Sequence, residues 1–416
     1  MTGPLPSPVP RDRLRGLKHA LAWTLTLLAV AWAAWAILGL VGDLASRPPG
    51  YRDFLPLWLG GRALLDGRDP TDPAVLAALF DATRPSRPPG AFLTYYPQSA
   101  AMLCIPLSLL DFRVLGRGLQ AALGIALLAG PALAAASTNR GMRLVAAMAV
   151  AAGIAASLPI AWVVVNMGQC NAIMVLLTGL GIWALARDRP VVGGLAIGLG
   201  IALKLFPVVL LVPAILGRRW RLVAIALTLP ILVFLSSLPL YAGPWAGSPM
   251  GSDALSWLVQ PLRPQWSPDV SPLVRALWHA RLWVPGGLAV GLTAWGTLRR
   301  EPKALAPLAA LWLAWISATI IASQAPHYAI LLLPAVGWIV GWSPSARRPW
   351  LAGAALLLLA VAAWQGGIFV GHRARTLQWL PVSFAVVLGC AAGVVDRLLP
   401  ARRGSNGTTR RGTSGA

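Results

Sequence analysis

The chain has 416 residues, 57% of them hydrophobic and only 12% charged. A soluble domain carries roughly 25% charge, so the composition excludes an ordinary soluble globular protein. The net charge of +22 would suggest nucleic acid in a soluble protein, but the basic residues fall in short connections and termini of an apolar chain. There they set topology and meet anionic lipid head groups, and no nucleic-acid partner is expected.

Residues 1–16 form a basic N-terminal segment. Arg11, Arg13, Arg15 and Lys18 flank the first apolar run, Leu17 to Gly42. That run is too long for a signal-peptide core and no convincing cleavage site follows, so it reads as a retained anchor. Apolar stretches near span length recur to about residue 400, which predicts an all-α, polytopic membrane protein with one domain over 17–400. Residues 401–416 are rich in Gly, Ser, Thr and Arg and read as a disordered basic tail.

Basic connections recur at Arg140/Arg143, Arg187/Arg189, Arg218/Arg219/Arg221, Arg299/Arg300/Lys303, Arg347/Arg348 and Arg397/Arg402/Arg403. The positive-inside rule puts these and both termini in the cytoplasm. The outer loops are then 43–115, 166–169, a turn near 204–207, 242–282, 323–327 and 371–377. Two consequences follow. Residues 97–112, short and proline-interrupted, read as an interfacial helix before a span over 116–136. Val191 to Leu216 must cross twice as two half-helices meeting near Lys204-Leu205-Phe206-Pro207, as happens where backbone lines a cavity. The sum is about twelve spans.

The outer loops carry the chemistry. Segment 51–96 opens on Tyr51-Arg52-Asp53-Phe54, continues as an amphipathic helix through Leu65, turns at Asp66-Gly67-Arg68-Asp69-Pro70 and ends at Tyr95-Tyr96. Two readings of Asp53 fit its apolar neighbours and position: a general base at the membrane edge, or a helix N-cap. Lys204 is the one lysine far from a cytoplasmic connection. An intramembrane lysine is costly and marks function by default, although a snorkelling lysine also fits. Cys104, Cys170 and Cys390 are scattered in apolar surroundings and suggest neither disulfides nor a metal site. No metal-spaced cluster, P-loop or dinucleotide fingerprint is visible, so no metal or other cofactor is expected.

The order of several motifs resembles glycosyltransferase family 87. They are Asp53-Phe54; Ala63-Leu64-Leu65-Asp66-Gly67-Arg68-Asp69-Pro70; Tyr95-Tyr96-Pro97; Gly168-Gln169-Cys170-Asn171; Gly193-Gly194 through Lys204-Leu205-Phe206-Pro207; and His327-Tyr328 before Leu331-Leu332-Leu333-Pro334. The likeness runs from about residue 43 to 340. It departs at Pro264-Gln265-Trp266-Ser267, where members often carry Asn-Gln-Ser, and at Ser323-Gln324-Ala325-Pro326-His327-Tyr328, where many carry a longer Trp/His-rich motif.

The resemblance implies an integral-membrane glycosyltransferase type C fold in the plasma membrane, with its site facing the periplasm or cell exterior. It implies a polyprenyl-phosphate-mannose donor and a mannosylated glycolipid acceptor. Asp53 matches the family's acidic position and would be the general base. Lys204 would meet the lipid phosphate, with Arg62 assisting or acting as an ordinary head-group contact. His327 would be a second proton acceptor or donor, or only a helix start. Gln169 and Asn171 would bond sugar hydroxyls, or simply begin a helix. Tyr95 and Tyr96 would stack on a pyranose, or sit as interfacial tyrosines. Competing readings are transfer of another sugar such as arabinofuranose, a transporter or flippase of lipid-linked sugar, and a scaffold. A transporter predicts repeated halves and more intramembrane charge, and neither is found.

Overall fold

The computed structural model describes residues 11–46, 53–70, 72–83, 98–242, 272–299, 302–321, 330–342 and 379–399. Among the described residues every regular element is helical. The α-helices are α1 (Arg11–Ser46), α2 (Leu55–Leu65), α3 (Pro73–Thr83), α4 (Gln98–Ser108), α5 (Phe112–Ala136), α6 (Met142–Ser157), α7 (Pro159–Asn166) and α8 (Asn171–Arg187). They continue as α9 (Pro190–Leu203), α10 (Leu211–Leu216), α11 (Trp220–Ala242), α12 (Pro272–Arg299), α13 (Leu305–Ile321), α14 (Leu333–Gly341) and α15 (Trp379–Leu398). Two 3-10 turns, Phe206–Leu210 and Pro302–Ala304, precede α10 and α13.

Two helices among the described residues are long and apolar enough to cross a membrane, over Gly16–Ser46 and Val114–Ala136. A third crossing is possible by length if Met142–Ser157 and Ile160–Asn166, bent by 75°, act as one span. The bend has a local cause. Leu158 precedes Pro159 and is extended (φ −78°, ψ 123°), because the proline ring disfavours a helical conformation in the residue before it. On α1 only a narrow strip, including Ala33, Ala36 and Leu40, is buried, while Leu17, Trp23, Leu28, Trp35 and Leu38 face outward. A helix apolar on nearly every side fits a lipid surround. Together these features mark a membrane protein.

Two expectations about local structure meet the fold directly. The segment before the Val114–Ala136 span is a separate short helix, α4, with Pro106 inside it. The chain between Val191 and Leu216 does break at Lys204, which caps α9 in extended conformation (φ −153°, ψ 130°). The helix expected to be amphipathic differs. In α2, Leu55 through Gly61 and also Ala63 are buried, because α4 lies across its second face. Ser108 of α4 donates to the Trp58 carbonyl at 2.9 Å, and Trp58 stacks edge-on against Phe112 with ring centroids 5.3 Å apart. The Gly60-Gly61 pair gives α4 room to approach: a side chain at Gly61 would collide with Ser108.

Close approach through small residues recurs in the bundle. At the α5–α8 crossing Gly130 and Gly179 meet backbone to backbone, and Gly337 and Gly341 of α14 lie on Pro131 and Ala135 of α5. Gly194 of α9 lies against the Ile225 side chain and the Leu222 carbonyl of α11, and Gly198 against the Ala226 backbone. Apolar burial does not drive helices together inside lipid, so tight backbone contact of this kind carries much of the association. One apolar core joins α2, the first half of α5, α7 and the first half of α8 with Ile330, Leu331 and Leu333. A second joins α9, α10 and α12–α15.

Gly179→Ala drives a methyl group into the Gly130 backbone. It should destabilise by about 1–3 kcal/mol, read as a lower unfolding midpoint in detergent. Gly118→Ala on the same helix system meets open space and should be neutral or stabilising by up to about 1 kcal/mol. Equal losses in both variants would remove the packing argument.

Candidate active site

The site begins with a turn. Helix α7 ends at Asn166, and Gly168 takes the left-handed conformation (φ +69°). The Gly168 N–H donates to the Val165 carbonyl at 3.1 Å and the Gln169 N–H to the Val164 carbonyl at 3.0 Å. That pair of bonds is a Schellman closure, in which glycine occupies the one position where a Cβ is penalised. The turn fixes the direction of Gln169, and α8 starts two residues later at Asn171.

Topology then brings three distant segments together. Helices α8 and α9 run side by side, joined by the tight Asp188-Arg189 connection, so the start of α8 lies beside the end of α9. Lys204 occupies that end, with its N–H still bonded to the Gly200 carbonyl at 2.8 Å. Asp53, just before α2, is held by its own backbone: its N–H donates to the Met167 carbonyl at 2.9 Å. The N-cap position of α2 is Phe54, which makes no side-chain cap.

The side chains form a continuous chain of hydrogen bonds. The Lys204 ammonium donates to Asn171 Oδ1 at 2.7 Å. Asn171 Nδ2 donates to Gln169 Oε1 at 3.2 Å, and Gln169 Nε2 donates to Asp53 Oδ2. The polarity of both amides follows from the ends. A carboxylate only accepts and an ammonium only donates, so Gln169 must turn its NH₂ to Asp53 and Asn171 its oxygen to Lys204. The remaining amide atoms then match each other. The middle is sealed, with Gln169 2% and Asn171 1% exposed, while Asp53 and Lys204 are half-buried. A buried amide left unpaired costs about 1–3 kcal/mol, so this arrangement satisfies two groups that would otherwise destabilise the bundle. The bonds to the ionised ends are of the stronger, charge-assisted kind.

Of the residues singled out from sequence, Asp53, Gln169, Asn171 and Lys204 therefore meet. Arg62 does not join them; it lies on α2, half-exposed, with its Nε 3.7 Å from Asp66 Oδ1 one turn on. Tyr95, Tyr96 and His327 lie outside the described residues. One contributor was not anticipated. The Met167 carbonyl fixes Asp53, and a backbone partner leaves no mark in sequence. One residue before the turn, the side-chain oxygen of Asn166 is buried without a hydrogen-bond partner among the described residues. Cys170, between the two amides, is buried and forms no disulfide.

Chemically, the arrangement offers a half-buried carboxylate and a half-buried ammonium linked through fixed dipoles. It can accept a proton at one end and meet an anion at the other. Comparison with known proteins agrees in class. Residues 92–258 match the model of glycosyltransferase family 87, a stretch that holds Gln169, Asn171 and Lys204 but neither Asp53 nor His327. No curated protein and no solved structure matches the chain. The similarity points to glycosyl transfer as the class of reaction.

Gly168→Val should destabilise the α7–α8 turn by about 1–2 kcal/mol or more, since a branched residue resists positive φ. Gly168→Asn should lose less than half of that, because asparagine visits the left-handed region. Unfolding midpoints of the two variants decide it: similar losses would mean the turn's conformation is not what matters.

Proposed function

We propose that this protein is a mannosyltransferase of the plasma membrane. It moves mannose from polyprenyl-phosphate-mannose to a mannosylated lipid or glycan acceptor on the extracytoplasmic face. The configuration inverts, and the product is an α-1,2 linkage in phosphatidylinositol-mannoside or lipomannan synthesis. The observation that carries this reading is the hydrogen-bonded chain from Asp53 to Lys204. It sets a base and a phosphate-binding cation into one polar cluster, as transfer from a lipid phosphate requires.

In this mechanism the Asp53 carboxylate takes the proton of the acceptor hydroxyl as that oxygen attacks the anomeric carbon. The bond from that carbon to the phosphate oxygen breaks, and its electron pair leaves with the lipid phosphate. Lys204 stabilises the charge that develops on the leaving group. One displacement inverts the centre, so a single carboxylate suffices and no second, nucleophilic carboxylate is needed. Arg62 contributes positive charge near the donor head group. Tyr95 and Tyr96 stack on sugar, and His327 supplies a further hydrogen bond. The chain adopts the integral-membrane glycosyltransferase type C fold with about twelve spans and both termini cytoplasmic. The similarity over residues 92–258 supports the reaction class; the sugar, acceptor and linkage rest on the motif order.

Asp53→Asn should lower transfer by about a hundredfold or more while the unfolding midpoint holds, because the backbone bond to Met167 is kept. Turnover near wild type would sink the role of the base. Lys204→Ala should raise the donor KM far more than the acceptor KM; an unchanged donor KM with normal kcat would remove the phosphate role. Orientation is tested separately: a cysteine replacing exposed Ala82 should react with an impermeant thiol reagent added outside whole cells. Protection from that reagent would overturn the topology.

A further inference from the structure

We infer that Gln169 and Asn171 are positioning residues that hold Asp53 and Lys204 as one unit, and that neither of them contacts the sugar. The inference rests on the mannosyl-transfer reading and assigns these two amides a part within it. Three observations carry it. Both residues are almost wholly buried, at 2% and 1% exposure, whereas the two charged residues they join are reachable at the surface of the cluster. Each amide is used at both ends, Gln169 between Asp53 and Asn171, and Asn171 between Gln169 and Lys204. Finally, the backbone brings both amides to these partners: the left-handed Gly168 turn places Gln169, and the first turn of α8 places Asn171.

The work such residues do differs at the two ends. An ammonium is a three-donor group on a flexible four-carbon stem, and its direction is loose unless something anchors it. Asn171 supplies that anchor, so its loss should appear in donor binding. A carboxylate that must meet an incoming hydroxyl needs a fixed rotamer. Gln169 fixes one oxygen of Asp53, so its loss should appear in turnover. A sugar-contacting amide would behave differently, since its loss would appear in the acceptor KM. A glutamate in its place could still accept from a sugar hydroxyl. In the positioning role glutamate fails, because it sets a second carboxylate against Asp53 and has no N–H to give.

The test uses the full-length chain in detergent, with polyprenyl-phosphate-mannose and a mannosylated phosphatidylinositol. Gln169→Leu and Gln169→Glu should each lower kcat about tenfold or more, with both KM values within about threefold. Asn171→Leu should raise the donor KM about tenfold and leave the acceptor KM unchanged. The double variant Gln169→Leu/Asn171→Leu should lose less kcat/KM than the product of the single losses, since one chain is broken once. A wild-type kcat in Gln169→Glu, or a tenfold rise confined to the acceptor KM in either leucine variant, would overturn the inference. If the wild type does not use this donor, the mannosyl-transfer reading falls, and unfolding midpoints judge the linkage on their own. Losses for Gln169→Leu and Lys204→Met that fail to add would uphold the unit; additive losses would end it.

Discussion

Two buried amides between a carboxylate and an ammonium organise one end of this helical bundle. Their polarity is not a free choice. An acceptor-only group at one terminus and a donor-only group at the other leave one orientation for Gln169 and one for Asn171. That constraint reaches into the fold, because each amide must also arrive from a particular direction. The turn at Gly168 delivers the first and the start of α8 delivers the second. The break in α9 delivers the lysine. A shift of any of these elements by a residue would leave a buried amide facing apolar side chains, at a cost comparable to a sizeable share of a domain's stability.

The rest of the bundle makes that convergence achievable. Helices held by glycine-to-backbone contacts cannot slide or rotate freely, since their spacing is set by atoms that have no rotamers to adjust. The Gly130–Gly179 contact locks α8 against α5, and Gly194 and Gly198 lock α9 against α11. The ends of α8 and α9 that carry Asn171 and Lys204 inherit this precision. Burial of α2 beneath α4 does the same for Asp53, since the helix that follows it is anchored through Trp58 to Ser108, Leu110 and Phe112.

Much of this was legible in the sequence, in separate pieces. The composition announces a membrane protein, and the break at Lys204 follows from the need to turn within 26 residues. The prominence of Asp53 and Lys204 follows from the rarity of charge in apolar surroundings. What the sequence did not disclose is that these pieces touch. Gln169 and Asp53 lie 116 positions apart, and Lys204 and Asn171 lie 33 apart. Periodicity and motif spacing describe neighbours along a helix and say nothing of which helix ends meet. The same limit explains α2. Its pattern suggests one wet face, but a helix is dry wherever another element covers it, and α4 is not written into residues 55–65. The hydrogen-bonded amides of Gln169 and Asn171 are a third case: a polar residue at a helix start reads alike whether it awaits a ligand or is already satisfied by its neighbours.

The bond from the Asp53 N–H to the Met167 carbonyl has a consequence for experiment. It ties the backbone at this position to the α7–α8 turn without involving the carboxylate, so the slot and its contents are separable. Removing the side chain, as in Asp53→Gly, leaves a carboxylate-sized vacancy beside the Gln169 amide, with its address in the bundle preserved. A small anion such as formate or acetate has the shape and the acceptor chemistry to occupy that vacancy. The position is therefore suited to chemical complementation, in which the base proposed for Asp53 is supplied from solution and its basicity is varied by choice of acid rather than by mutation.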